Sequence, residues 1–250
     1  MMEADLFITC FVLFGVAILG GGLMFFGIKI TPTRMKLLLS YSAAYLLALT
    51  FLHLLPEAME EGGQRVGIMI LIGFLLQIVL DYFSQGVEHG HAHAHTHGVD
   101  KKFIWMVSIS LWIHALIEGM PFGANAEAHA GHAHAHHHEH SLLWGITLHK
   151  FTESFVFAAL LIQVVQNKVK ASIWLVLFAM VAPIGALIYH FTDGLAFLQQ
   201  ENTLSLVTAL LIGIILHVAT TILFESEEGH RFNRMKFLFI ILGLLSAGLI

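Results

Sequence analysis

The chain has 250 residues, of which 57% are hydrophobic and only 12% are charged, and its formal net charge is −5. A soluble domain has about a quarter of its residues charged, so this composition excludes an ordinary soluble domain and indicates a protein that crosses a membrane several times. The single cysteine excludes an intramolecular disulfide, and the absence of a basic patch argues against binding to nucleic acid.

Eight apolar segments follow one another, and each is close to the length of about 20 residues that a helix needs to cross a bilayer. They are 5–28, 35–58, 66–87, 103–122, 141–166, 171–190, 204–224 and 235–250. The first begins with acidic residues, whereas a signal peptide begins with basic ones, so we interpret it as a retained helix. The predicted fold is an all-α, polytopic membrane protein with eight transmembrane helices, in a single transmembrane domain over residues 1–250.

Basic residues determine the predicted orientation of these segments. They concentrate in the loops before the second, fourth, sixth and eighth segments, and they are Lys29, Arg34, Lys36, Lys101, Lys102, Lys168, Lys170, Arg231, Arg234 and Lys236. The opposite loops are acidic and contain only Arg65 as a basic residue. The positive-inside rule therefore predicts that the four basic loops face the cytoplasm and that both termini face outward.

Several small or polar residues interrupt the apolar segments. The triplet Gly20-Gly21-Gly22 in the first segment predicts close helix packing. Other positions are either satisfied polar residues or parts of an ion pathway, and the sequence leaves both interpretations open; they are His53, Glu57, Asp81 and His217. His53 and Glu57 are predicted to share one helical face, because their spacing is i, i+4.

Two low-complexity histidine tracts lie between apolar segments. The first contains His89, His91, His93, His95 and His97, and the second contains His132, His134, His136, His137, His138 and His140. Their Ala/Gly/His composition predicts flexible loops at about 88–100 on the cytoplasmic side and about 124–140 on the extracytoplasmic side. Because dense neutral imidazoles bind transition metals, we interpret both tracts as metal-capturing segments rather than polar spacers.

Two histidine–carboxylate pairs with i, i+4 spacing lie inside the fourth and fifth segments. They are His114 with Glu118, and His149 with Glu153. A charged residue in a spanning helix costs about 2.5–3.5 kcal/mol on insertion scales, so such residues usually mark a site. If the two segments are antiparallel neighbours, two imidazoles and two carboxylates converge on one divalent transition metal, whose charge the carboxylates offset.

Lys150 follows the second histidine and lies about 100° around the helix from it. An ammonium at this depth needs an anionic partner, and Glu153 at i+3 or Glu118 across the gap can supply one. The alternative is a side chain that extends toward the membrane surface. We favour the paired position, in which Lys150 is a charge partner of the predicted metal site.

In combination, these motifs resemble the ZIP family of zinc- and iron-regulated transporter-like proteins, over essentially the whole chain. The run from His114 to Gly119, HALIEG, is similar to the family's fourth-helix motif, His-Asn-x-x-Asp/Glu-Gly. The run from His149 to Glu153, HKFTE, is similar to the fifth-helix motif, His-Glu-x-Pro-His-Glu. A His-x-x-Pro-Glu run in the second segment also recurs in the family.

The resemblance implies uptake of zinc toward the cytoplasm, with iron, manganese, cobalt or cadmium as alternatives and no cofactor beyond the transported metal. It implies that helices one, four, five and six move relative to helices two, three, seven and eight. It also implies a single metal position, because the family's ligands for a second metal are replaced here by Ala115, Lys150 and Ala182.

Two other kinds of membrane protein, a metal-dependent enzyme and an efflux carrier, also use intramembrane histidines. A membrane hydroxylase or desaturase needs more histidines in ordered boxes, whereas the dense histidines here lie in the two tracts. An efflux carrier typically has six helices and cytoplasmic termini, so the eight predicted segments argue against this alternative. We therefore predict a transporter and no enzyme, with the metal and the lipid bilayer as partners and a homodimer left open. The short chain without a targeting segment predicts the inner membrane of a prokaryote.

Overall fold

The computed structural model describes residues 2–28, 30–84, 101–124, 135–165, 167–192, 203–224 and 233–249. Within these ranges the chain forms nine α-helices, which are α1 (Met2–Phe25), α2 (Pro32–Leu49), α3 (Leu55–Gly62), α4 (Gln64–Ser84), α5 (Lys101–Gly119), α6 (Ala135–Val164), α7 (Lys168–Thr192), α8 (Thr203–Phe224) and α9 (Arg234–Gly248). A π-helical turn, Thr50–Leu54, joins α2 to α3, and a 3-10 turn, Met120–Gly123, follows α5. The predicted all-α class is confirmed.

Seven stretches of the described residues are long and apolar enough to cross a membrane. They correspond to the first seven predicted segments, and α2, the π-helical turn and α3 together form the second of them, Thr33–Glu60. The eighth predicted segment forms α9, whose 15 residues extend about 22 Å, less than a hydrocarbon core of about 30 Å. The prediction of a multi-pass membrane protein is thus supported by seven candidate spans, and α9 is a shorter apolar helix.

The outer surface of the helices is strongly apolar. Phe11, Leu71 and Phe191 are 75%, 64% and 74% exposed. Such a surface favours association in water but matches a lipid environment, in which helices satisfy their own backbone hydrogen bonds. The spans formed by α1 and α4 are the least buried, and the span formed by α6 is the most buried. Polar side chains on α6 are therefore well placed to avoid contact with lipid.

The helices pack in two groups. In the first, α1 packs on α6 and α7, and α5 packs on α7; in the second, α8 packs on α4 and α2, and α2 packs on α9. The groups meet mainly where α2 contacts α6 and where α4 contacts α5. We call them the α5–α6 group (α1, α5, α6 and α7) and the α4–α8 group (α2, α3, α4, α8 and α9). This division matches the one that the resemblance implies, and the relative motion of the groups stays a prediction.

The second span is not a uniform α-helix. Pro56 has no backbone N–H, and its ring clashes with the carbonyl one turn earlier, so the helix cannot continue unchanged through this position. The backbone widens into the π-helical turn Thr50–Leu54, which contains His53, while Glu57 lies in the first turn of α3. Both side chains are half-buried. The wider turn changes the simple i, i+4 geometry that we predicted for this pair.

Glycines allow helices to approach closely within each group. A Cβ atom on Gly20 would overlap the carbonyl oxygen of Phe151 on α6, and one on Gly21 would overlap a leucine side chain of α7. The predicted packing role of the glycine triplet is confirmed for these two positions. Likewise, a Cβ atom on Gly119, at the end of α5, would overlap the carbonyl oxygen of Ala182 on α7. The end of α5 that carries the predicted ligands is therefore held tightly against α7.

We expect Gly73→Val to weaken the packing of α4 on α8, because a Cβ atom at this position would overlap the carbonyl oxygen of Leu210. Overpacking of this kind costs about 1–3 kcal/mol. Gly67→Val on the same helix is the matched control, since a Cβ atom on Gly67 has nothing within 4 Å. Thermal unfolding in detergent measures the difference, and equal midpoints for the two variants would contradict the close packing of α4 on α8.

Candidate metal centre

The predicted ligands lie on two helices of the α5–α6 group. α5 carries His114 and Glu118, α6 carries His149 and Glu153, and each of the four residues is at most 2% exposed. We expected α5 and α6 to be direct neighbours, but α5 packs chiefly on α7 and α4 and touches α6 little. The imidazole rings of His114 and His149 nevertheless meet, with their centroids 5.9 Å apart. Side chains, rather than continuous helix packing, connect the two halves of the site.

Three of the four predicted ligands form a compact group. Among the described residues, His114, His149 and Glu153 each offer one donor atom, and these three atoms lie within 4.8 Å of one another. Glu118 lies beside them, with its Oε1 3.1 Å from Nε2 of His114 and 3.8 Å from Nε2 of His149. Because zinc–ligand distances are about 2.0–2.2 Å, modest side-chain shifts are sufficient to bring these atoms onto one ion.

Lys150 bridges the two carboxylates. Its Nζ lies 2.5 Å from Oε2 of Glu118 and 2.6 Å from Oε2 of Glu153, and its side chain is 1% exposed. The ammonium also lies 5.2 Å from the centroid of the Phe178 ring. The contact with Glu153 is a charge-assisted hydrogen bond, which is a strong interaction in a protein interior, and the contact with Glu118 is an ion pair. The structure has Lys150 in the paired position that we favoured, with its side chain buried between the two carboxylates.

We call the side chains of His114, Glu118, His149, Lys150 and Glu153 the cluster. The cluster has a net charge of −1 when both histidines are neutral. Glu118 and Glu153 contribute two negative charges, and the ammonium of Lys150 offsets one of them. Buried charges are costly unless opposite charges or hydrogen bonds compensate them. The remaining negative charge, next to two imidazoles, makes the cluster suited to a cation.

Several nitrogen and oxygen atoms of the cluster that could bind a metal have no hydrogen-bond partner. In the part of the chain that the structure describes, no partner is in hydrogen-bond geometry with Nδ1 or Nε2 of His149 or with Oε1 of Glu153. A buried polar atom without a partner costs about 1–3 kcal/mol, so several at one place call for a ligand. Imidazole nitrogens and carboxylate oxygens are common ligands of zinc and related divalent metals. The residues present therefore fit such an ion.

Gln77 connects the cluster to the α4–α8 group, which the sequence had not led us to expect. It lies on α4, is fully buried, and places its Oε1 3.0 Å from Nδ1 of His114. The available signal was an isolated amide in an otherwise apolar helix, because an amide in lipid needs a hydrogen-bond partner. No local pattern indicates which helix supplies that partner.

The predicted pathway residues lie outside the compact group. Within the described ranges, the group of three potential ligands includes none of the four pathway residues, which are His53, Glu57, Asp81 and His217. His217 on α8 packs against Phe74 on α4, with ring centroids 5.2 Å apart. Asp81 lies one turn beyond Gln77 on α4. The role of these residues on an ion pathway stays a prediction.

The first histidine tract and the start of the second lie outside the described residues, which exclude 85–100 and 125–134. Four of the six histidines of the second tract lie within α6, which begins at Ala135. Residues 135–140 are therefore helical, whereas we predicted them in a flexible loop. Histidine is a weaker helix former than alanine, but adding residues to an existing helix is favourable, and this stretch continues directly into a long helix, which accounts for the earlier start. The metal-capturing role of the tracts stays a prediction.

Comparison of the chain with protein-family models found no match, and comparison with curated proteins found none either. The fold and the site therefore define the class of the protein. Seven helical spans are combined with a buried group of two histidines and a glutamate, beside a second glutamate and a lysine. This combination defines a multi-pass helical membrane protein with a candidate metal site in its interior.

Proposed function

We propose that this protein is a ZIP-like transporter that moves a divalent transition metal, above all zinc, across the membrane toward the cytoplasm. The observation that carries the proposal is the buried group of His114, His149 and Glu153, with Glu118 beside it. Ionisable residues inside a membrane are expensive, and they commonly mark ion pathways. Iron, manganese, cobalt and cadmium are alternatives, because nitrogen–oxygen sites of this kind accept several divalent metals.

Lys150 supports transport rather than permanent binding. An arriving metal competes with the ammonium for the carboxylates of Glu118 and Glu153, which both contact Nζ. If the ammonium stays, the cluster changes from one negative to one positive charge when a divalent ion binds. A carrier site must bind its ion strongly enough to load it and weakly enough to release it. The ammonium lowers the affinity of the carboxylates for the ion and thereby favours release.

The proposed transporter crosses the membrane eight times, with α9 as the last span and both termini outside. Arg234 and Lys236 lie at the start of α9, where the positive-inside rule requires a cytoplasmic end. A span shorter than the bilayer can be accommodated by local thinning. All four predicted ligands belong to the α5–α6 group, so motion of this group against the α4–α8 group would carry the site. The proposed location is the inner membrane of a prokaryote.

Direction-resolved zinc uptake in proteoliposomes tests this proposal. Vesicles contain a zinc indicator, and an external protease that removes a terminal tag identifies the molecules whose termini face outward. We expect saturable influx through these molecules and none in His114→Ala. Flux only in the opposite direction would support the efflux carrier. Absence of flux at normal protein abundance would contradict transport and favour a metal-dependent membrane enzyme.

The histidine tracts should affect uptake at low metal concentration much more than at saturation. The composition of the first tract and of the start of the second predicts no unique geometry, so we propose that the tracts raise the local metal concentration without taking part in translocation. Because α6 begins at Ala135, replacing the tract histidines with glutamine is preferable to deletion and preserves the chain length. The measurement is initial uptake over a range of zinc concentrations. Loss of uptake at saturating zinc, with the protein intact, would contradict this role.

A further inference from the structure

Gln77 lies at the contact between the two helix groups and belongs to the group that carries none of the proposed ligands. Its side chain is fully buried, although α4 forms one of the least buried spans of the protein. Its Oε1 lies 3.0 Å from Nδ1 of His114. Burying an amide in an apolar environment destabilises the protein unless the amide is hydrogen-bonded. Here its hydrogen-bond partner is a proposed metal ligand.

The direction of this hydrogen bond determines the state of the imidazole. With the amide oxygen of Gln77 facing Nδ1, the neutral ring carries its proton on Nδ1 and donates it to the amide. The other ring nitrogen, Nε2, then presents its lone pair to the cluster, where Oε1 of Glu118 lies 3.1 Å away. A lone pair and a carboxylate oxygen at this distance repel each other unless a cation lies between them. The arrangement therefore favours binding of a cation through Nε2.

We propose that Gln77 is a positioning residue of the metal site, which fixes the tautomer and ring orientation of His114 from the opposite helix group. This inference rests on the proposed function. Partners of this kind, which hydrogen-bond the second nitrogen of a metal-binding histidine, typically contribute 10–100-fold to metal affinity. Because Gln77 lies on α4 and His114 on α5, the affinity of the site depends on the contact between the two groups. Motion of one group against the other then changes the affinity as it moves the site.

The same helix contact contains a second buried hydrogen bond that does not involve a ligand. The hydroxyl of Ser110 on α5 donates to the carbonyl oxygen of Leu80 on α4, over 2.6 Å. Ser110 lies one turn before His114 on the same helix. Ser110→Ala therefore removes a hydrogen bond between the same two helices while the amide–imidazole pair remains. It is the matched control for a general weakening of the α4–α5 contact.

Titration of the purified full-length protein with Co2+ tests the inference. Four-coordinate Co2+ absorbs visible light much more strongly than six-coordinate Co2+, so its spectrum distinguishes an ordered intramembrane site from loosely bound metal on the histidine tracts. The variants are Gln77→Met, which removes the acceptor at similar length, Gln77→Asn, which withdraws the amide by one methylene, and Gln77→Glu, which keeps an acceptor. Uptake of Zn2+ by the same variants separates apparent KM from maximal rate.

We expect Gln77→Met and Gln77→Asn to raise the Co2+ dissociation constant by about 10–100-fold and to raise the apparent KM for Zn2+. Ser110→Ala should keep affinity within a few-fold of wild type, and Gln77→Glu, which retains an acceptor for Nδ1, should bind Co2+ more tightly than Gln77→Asn. Wild-type affinity in Gln77→Asn, or equal losses in Gln77→Asn and Ser110→Ala, would overturn the positioning role. Gln77→Asn provides the decision if Gln77→Met does not fold. A strong four-coordinate spectrum that persists in His114→Ala would instead overturn the proposed metal site.

Discussion

Glu118→Ala and Glu153→Ala should each reduce zinc flux by about 100-fold or more while the protein remains inserted in the membrane. Each change removes one carboxylate beside the two imidazoles. With the ammonium of Lys150 retained, the empty cluster becomes neutral, and a bound divalent ion would leave two uncompensated positive charges in a medium of low dielectric. Loss of a residue that merely orients a ligand commonly costs 10–100-fold in affinity, so loss of a direct ligand should reach at least the upper end of that range.

The two alanine variants can be distinguished from folding defects. Lys150 keeps one carboxylate partner in each of them, so no single change leaves the buried ammonium without an anion. Ser154→Ala is the control on α6, because this hydroxyl lies next to Glu153 and donates to the carbonyl of Phe151 in its own helix. The measurement is initial zinc uptake at equal protein abundance. Near wild-type flux in both glutamate variants would eliminate the proposed site.

Lys150→Met should make the stability of the protein strongly dependent on bound metal. The methionine retains an apolar stem but leaves Glu118 and Glu153 as two buried carboxylates without the ammonium that bridges them. Breaking a buried ion pair costs about 3–5 kcal/mol. A bound divalent ion compensates both charges, and binding to the native state alone raises stability by mass action. The midpoint of thermal unfolding should therefore fall without metal and recover at saturating zinc.

The same change should alter zinc affinity in the opposite sense from the glutamate variants. Without a competing ammonium, zinc should bind at least about tenfold more tightly, and the maximal flux should fall because release becomes slow. Lys170→Met, at an exposed position near the start of α7, controls for the loss of one lysine. An unfolding midpoint that is the same as in wild type, with and without zinc, would show that Lys150 does not balance the carboxylates.

Lys150 should also limit the number of metals in the proposed site. Its ammonium lies between the two carboxylates, where a second ion would need the same oxygens, and it repels that ion at short range. We therefore expect one intramembrane metal per chain, bound by His114, Glu118, His149 and Glu153. Metal analysis of the variant with glutamine in both histidine tracts, or a metal-soaked structure, measures this number. Two well-occupied metals within bridging distance would contradict it.

The helical class, and the side-chain contacts within each histidine–carboxylate helix, could be predicted from the sequence because both depend on residues close together along the chain. Apolar runs of spanning length predict helices irrespective of their neighbours. The i, i+4 spacing of His114 and Glu118 places both side chains on one face, and the structure has them 3.1 Å apart. Lys150 and Glu153, at i and i+3, likewise meet within 2.6 Å. The predicted orientation in the membrane has no such local test and stays a prediction.

The contacts between helices depended on the tertiary structure. The sequence did not indicate that α5 packs on α7 and α4 more than on α6, or that Gln77 reaches His114 from the opposite group. In a membrane, a helix face toward lipid and a face toward another helix are both apolar, so hydrophobic patterning does not distinguish them. Small residues such as Gly119, which allow close approach, and polar pairs that avoid lipid determine the neighbours instead. Those are properties of two helices at once, and only their packing in three dimensions decides them.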